Sequence, residues 1–256
     1  MSTISNAPTI LKDFLSYHET VKAHSAKTVD EYFLDLRTFF RYLKRSRGLV
    51  SPDTPWDSIS IADVDLELVS SVSLSEIYDY LIFLSRERQL NTASLARKIA
   101  AIRSFYRYLT SKAHLLEENP VQELDSPRMK KTLPRYLTLE ESLTLLDAVQ
   151  GKNKERDYCI LMLFLNCGLR ISELVNLNVS DIQGDTIRVL GKGNKERIVY
   201  MGSSCRKAID RYLIERSQIV LSDNRALFGS RDGNRISVSA VHRLVKKHLL
   251  AAGLDS

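Results

Sequence analysis

Nothing in this 256-residue chain is apolar for long enough to cross a membrane. The run Cys159-Ile-Leu-Met-Leu-Phe-Leu165 falls far short of the about 20 residues that a spanning helix needs, so it is expected to be a core helix. Cysteine is equally sparse. Cys159, Cys167 and Cys205 are odd in number and show no CxxC spacing, which excludes a disulfide framework or a zinc site and leaves reduced packing residues. The opening MSTISNAPTI has neither the basic start nor the apolar core of a signal peptide, so a cytoplasmic location is expected. No P-loop, dinucleotide fingerprint, metal-ligand cluster, repeat or low-complexity tract is found. No metal, cofactor or membrane partner is therefore expected.

What is present is a moderate basic excess and a great deal of helical periodicity. Lys and Arg number 37 against 31 Asp and Glu, a formal charge of +6, which is compatible with a nucleic-acid partner without establishing one. Apolar residues at helical spacing predict a helix over Thr9–Val21 and a longer one carrying Val29, Phe33, Leu36, Phe40 and Leu43, with Thr28 and Glu31 as its capping box. Arg37, Arg41, Lys44 and Arg45 fall on that helix's other side. A Pro-, Ser- and Asp-rich loop over 48–65 follows. Ser73 and Glu76 cap a third helix, and a fourth starts near Thr92 and buries Leu95, Ile99, Ile102, Phe105 and Leu109. Arg97, Lys98, Arg103 and Arg107 are expected on its remaining surface, with Tyr106 and Tyr108 interleaved. Two basic helices in one bundle point to phosphate contact. Residues 1–118 thus read as a helical domain, 119–134 with three prolines as a linker, and 135–256 as a second domain opened by a Thr138/Glu141 capping box.

The second domain holds the chemistry. Gly168 can take the positive φ that ends the apolar helix, and Ile171, Leu174 and Leu177 then recur at helical spacing, which places Arg170 at a helix start against a core. An arginine there either pairs with a buried carboxylate such as Glu173 or turns its fork toward an anion such as a phosphate. Thr186–Leu190 and Arg197–Met201 are β-rich, and Gly191-Lys-Gly-Asn-Lys-Glu196 between them is a hairpin loop that carries Lys192 and Lys195. A mobile lysine beside an anion-clamping arginine suits phosphoryl chemistry, where it could protonate a leaving oxygen. A last helix over 238–251, capped by Ser237 or Ser239, exposes His242, Arg243, Lys246 and Lys247.

GLRISEL followed about a dozen residues later by VLGKGNKER closely resembles the catalytic domain of the tyrosine recombinases, the phage-integrase family, and in particular its Xer-type members. SLARKIAAIRSFYRYLTSKAHLLEENP is similar to the last helix of their N-terminal domain. The resemblance implies a mainly α fold with a small β-hairpin, in which a four-helix, SAM-like core-binding domain and an α+β catalytic domain clamp double-stranded DNA. It implies Arg170 on the scissile phosphate, Lys192 as general acid toward the leaving 5′ oxygen, and Glu173 supporting them. Arg97, Lys98, Arg103, Arg107, Lys195, Arg197, Arg243 and Lys246 become the expected DNA contacts. The implied reaction is site-specific recombination through a 3′-phosphotyrosyl intermediate, as in DNA integration or chromosome dimer resolution, performed by a synaptic tetramer without metal or cofactor.

One part of the pattern is missing. In that family the last helix leads to an HxxR box and then the tyrosine nucleophile, and HxxR occurs nowhere among these residues. After Arg170 the tyrosines are Tyr200 and Tyr212, both read as packing residues. The chain is expected to be a truncated piece of a recombinase that binds DNA without completing cleavage. The other reading is a non-catalytic DNA-binding regulator or accessory protein built on the same fold.

Overall fold

The computed structural model describes residues 6–127, 136–191, 193 and 195–254. The chain divides into two compact units, Met1–Thr132 and Leu133–Ser256. No described helix is long and apolar enough to cross a membrane.

The first unit is helical. Its elements are α1 (Thr9–Ser16), α2 (Ala26–Ser46), the one-turn α3 (Leu66–Ser70), α4 (Leu74–Arg86) and α5 (Thr92–Ser111). Four of these are the expected helices. α1, α2, α4 and α5 close around Leu11, Phe14, Leu36, Phe39, Phe40, Ile77, Tyr80, Ile102 and Phe105, all buried. Each such side chain contributes about 1.5–3 kcal/mol relative to exposure. The predicted first helix is regular only to Ser16 and continues as a wider π-type turn over Tyr17–Val21. That turn buries His18, whose Nδ1 lies 3.1 Å from His24 Nδ1 and whose Nε2 lies 3.2 Å from Ser104 Oγ.

Two of the expected caps form, and a third falls three residues earlier than the spacing predicts. The Ser73/Glu76 and Thr138/Glu141 capping boxes both form. On α2, however, Ser25 and not Thr28 is the cap: its extended backbone brings Oγ to accept from the Thr28 N–H at 3.3 Å, and the helix starts a turn earlier. The cations on the far side of α2 also differ from expectation. Arg41 and Lys44 are buried and hold the 48–65 loop down. Arg41 Nε donates to Ile59 O at 3.0 Å, and Lys44 Nζ donates to Ser60 O at 2.9 Å and to the Asp63 carboxylate at 2.6 Å. They bridge protein to protein. Val121 and Leu124, in the stretch read as linker, are buried in this same core, so the first unit extends at least to Leu124. Arg128, Lys130 and Lys131 of that stretch lie outside the described residues.

The second unit sets α6 (Leu139–Asp147), α7 (Lys154–Cys167), α8 (Ile171–Asn176), α9 (Ser203–Arg216) and α10 (Val238–Ala251) around a small antiparallel sheet of β1 (Ile182–Gln183), β2 (Thr186–Leu190) and β3 (Glu196–Tyr200). Ser237 caps α10 through the Ala240 N–H at 3.1 Å. The core comprises Ile160, Leu163, Leu174, Ile187, Val189, Ile209, Tyr212, Phe228 and Val241. Arg188 pairs with Ile198 and Leu190 with Glu196 across the β2–β3 ladder. Pleat alternation then turns Ile187 and Val189 inward and leaves Leu190, Ile198 and Tyr200 exposed. Tyr212 is a core residue whose hydroxyl donates to Leu227 O at 3.0 Å. Tyr200 is not: at 79% exposure it stands on the open face of the sheet.

Candidate functional site

α7 stops at Cys167 because Gly168 adopts a left-handed conformation, φ 58° and ψ 34°. Leu169 is buried, and Arg170 then takes the extended geometry of an N-cap, φ −72° and ψ 148°. The carboxylate pairing of Arg170 forms, and it leaves much of the side chain accessible. Its backbone N–H donates to Glu173 Oε2 at 2.8 Å and its Nη1 to Oε1 at 2.9 Å, yet 71% of its side chain stays exposed. The pairing fixes the base of the fork and leaves the rest of it to solvent.

Glu173 carries more than one arginine. Arg197, arriving on β3, donates from Nη1 to Oε1 at 2.7 Å and from Nη2 to Oε2 at 2.9 Å, while the Glu173 side chain is only 3% exposed. The hydrogen bonds from Arg197 are the largest cause that holds the Glu173 carboxyl down at about 2. Burial opposes them, and the Arg170 backbone and side chain assist. The carboxylate is therefore ionised at any working pH. One carboxylate against two guanidiniums leaves an excess positive charge at the helix start, suited to an anion with oxygens to share. Gly191 closes the hairpin base against this cluster. Its N–H donates to Lys195 O at 2.8 Å, and a Cβ added there would lie 3.3 Å from that oxygen and 3.6 Å from Glu173 Oε1.

The structure brings Arg170, Glu173 and Arg197 together. Lys192 lies outside the described residues. Lys195 is exposed, and Arg243 and Lys246 are exposed on α10. In the first unit the four expected contacts separate. Arg107 is exposed, and Arg103, half-buried, donates from Nη1 to Ser126 Oγ at 2.7 Å; both line a polar cavity that includes Glu117, Glu118 and Gln122. Arg97 is half-exposed and bonds Glu31 and Asp35, each at 2.6 Å. Lys98 is buried, with Nζ 2.9 Å from Asp35 Oδ1, and is corrected from a surface cation to a core ion-pair partner. Its burial follows from its place next to Ile99 on the inward side of α5. Tyr106 is likewise buried, its hydroxyl bonded to Val69 O at 3.0 Å, and offers no face for phosphate contact.

Sequence reasoning missed how Arg197 is used. Tyr200 is expected to pack, whereas β3 leaves it exposed and turns Arg197 and Val199 toward the body of the unit. The available signal was the period-two link between Arg197 and Val199, together with an acidic residue already placed on α8.

Residues 135–256 match the Phage integrase family, and residues 11–113 match the Phage integrase N-terminal SAM-like domain. The chain is 52% identical over 248 residues to tyrosine recombinase XerC of Caldanaerobacter subterraneus subsp. tengcongensis, across 97% of this chain and 70% of that protein. It is 35% identical over 254 residues to tyrosine recombinase XerC of Chlamydia muridarum, across 94% and 78% of the two. Among solved structures it resembles XerH site-specific recombinase bound to a palindromic difH substrate, with TM-score 0.67 and 18% identity over 96% of this chain and 68% of that one. A lambda integrase dimer bound to a COC′ core site gives TM-score 0.66 and 18% identity over 99% and 66%. At such identities the structural likeness concerns fold. The chain belongs to the phage integrase family, the tyrosine recombinases. By family it is a site-specific DNA recombinase.

Proposed function

We propose that this protein binds duplex DNA and grips the phosphate to be cleaved through the exposed fork of Arg170. The observation that carries the reading is the contrast between a nearly fully buried Glu173 and a 71% exposed Arg170 joined to it. A phosphate ligand needs a donor array that is both fixed and accessible. Arg197 positions the array from behind. Lys192 serves as general acid toward the leaving 5′ oxygen, a role supported by its place in the GKGNKER hairpin. Arg103, Arg107, Lys195, Arg243 and Lys246 contact the DNA backbone, and Arg97 contributes less because two carboxylates already hold it.

Residues 1–118, extended to Leu124, act as the core-binding domain and 135–256 as catalytic-domain sequence. The protein works in the cytoplasm and self-associates on DNA, in keeping with a lambda integrase tetramer bound to a Holliday junction among its structural neighbours. Because HxxR is nowhere in these 256 residues, the polypeptide supplied alone binds DNA without completing strand cleavage.

The test pairs salt-dependent binding with a nicked suicide duplex. Binding should weaken steeply with salt, and Arg170→Ala should lower the slope of log K against log salt by about 1, the signature of one lost phosphate contact. No covalent protein–DNA adduct should form on the suicide duplex. A flat salt response, or an unchanged slope in Arg170→Ala, would reject the phosphate role; a covalent adduct would reject the incomplete-cleavage reading.

A further inference from the structure

The three cysteines do not form a uniform set. Cys159 is buried in the core of α7, where burial pushes its thiol up and out of reach of chemistry near neutrality. Cys167, the last residue of α7, is half-buried and open to small solutes. Cys205 is buried in the first turn of α9, and its Sγ lies 3.9 Å from that of Cys167. A disulfide has an S–S distance of about 2.05 Å, so bond formation needs about 2 Å of further approach from the 3.9 Å observed.

We propose that Cys167 and Cys205 form an oxidation site, closing to an intramolecular disulfide that clasps α7 to α9. Cys167 is the residue that reacts first. It is the accessible member, and its hydrogen-bond contact with Cys205 holds its thiol below the ordinary range. Cys205 is pushed the other way by the same contact and by burial, as suits the member that follows. The oxidant is a hydroperoxide. The Cys167 thiolate attacks one peroxide oxygen, the O–O bond breaks, hydroxide leaves and the sulfur becomes a sulfenic acid. The Cys205 sulfur then displaces hydroxide from that sulfur and its proton goes to the departing oxygen. The pair loses two electrons and two protons, and hydrogen peroxide becomes two waters.

The clasp is close in sequence to the arginine cluster. Cys167 precedes Arg170 by three residues, while Cys205 stands in the helix that follows β3 and its Arg197. In a reducing compartment such a bond is transient and reports oxidative conditions, unlike a structural disulfide.

The experiment exposes the folded 256-residue chain to stoichiometric hydrogen peroxide, followed by intact mass and peptide mapping. A loss of two hydrogens, a Cys167–Cys205 crosslinked peptide, and reversal by dithiothreitol are expected. Oxidised protein should also melt higher than reduced protein, since the bond closes a 38-residue separation. Cys205→Ser should instead gain oxygen at Cys167, Cys167→Ser should remain unchanged in mass, and Cys159→Ser should behave as the parent chain does. Cys167→Ser, at a half-open position, keeps the comparison usable even where a buried substitution disturbs folding. Stable oxygen addition at Cys167 in the parent chain, a crosslink through Cys159, a bond between two chains, or a lower melting temperature after oxidation would overturn the proposal.

Discussion

Glu173 binds Arg197 with both carboxylate oxygens, at 2.7 and 2.9 Å, across 24 residues of sequence. The same carboxylate holds the backbone and side chain of Arg170. Removing its charge should therefore unseat two arginines. Glu173→Gln is expected to cost about 2–3 kcal/mol in urea unfolding, below the full value for a buried pair because both partners reach solvent. The sign of the pH effect follows from a carboxyl depressed from 4.5 to about 2. Its stabilisation is fully present above pH 4.5 and is lost as pH falls toward 2, so Glu173→Gln should flatten the acid limb of the parent chain's stability curve.

Lys98 and Arg107 sit on the same helix and should respond oppositely. Lys98→Met leaves the buried Asp35 with Arg97 alone and is expected to destabilise the protein by about 2–3 kcal/mol, with an unchanged salt slope for DNA binding. Arg107→Ala should leave stability within about 0.5 kcal/mol and weaken DNA binding at every salt concentration. Chemical unfolding and fluorescence anisotropy on both variants separate the two cases.

Burial holds His18 neutral, with its pKa near 4, helped by the neighbouring His24 and Lys22. Between about pH 6.5 and 4 the unfolded chain binds a proton that the folded chain refuses, so stability rises with pH through that window and falls on acidification. The melting temperature of the isolated first unit should drop across it. His18→Gln should remove most of that slope.

Val121 and Leu124 decide where the first unit can be cut. A fragment ending at residue 118 loses both from the core and is expected to be less stable than one ending at 127 by about 3–5 kcal/mol. Urea midpoints of the two fragments measure the difference.

Much of this molecule was legible because the controlling interactions are local. The Ser73 and Thr138 capping boxes, the Gly168 stop and the β2–β3 hairpin are set by residues within a few positions of one another, and each formed as read. What sequence could not show depends on partners far away in the chain. Lys98 looks like a surface cation until Asp35, 63 residues distant, is placed against it. Arg41 and Lys44 look like a basic face until the 48–65 loop folds back on them. Arg197 looks like a DNA contact until Glu173, 24 residues distant, is placed against it, and Tyr200 looks like a packing residue until the strand's alternation leaves it outside.

Sharing one carboxylate between two guanidiniums joins two pieces of the fold that would otherwise respond independently. Arg170 belongs to the loop after α7, and Arg197 to the strand leaving the lysine hairpin. The contacts run without a break from the exposed fork of Arg170 through Glu173 to Arg197 on β3, and Gly191 at the hairpin's base packs beside the same carboxylate. One buried carboxylate is thus the common anchor of a loop residue three positions before it and a strand residue 24 positions after it in sequence.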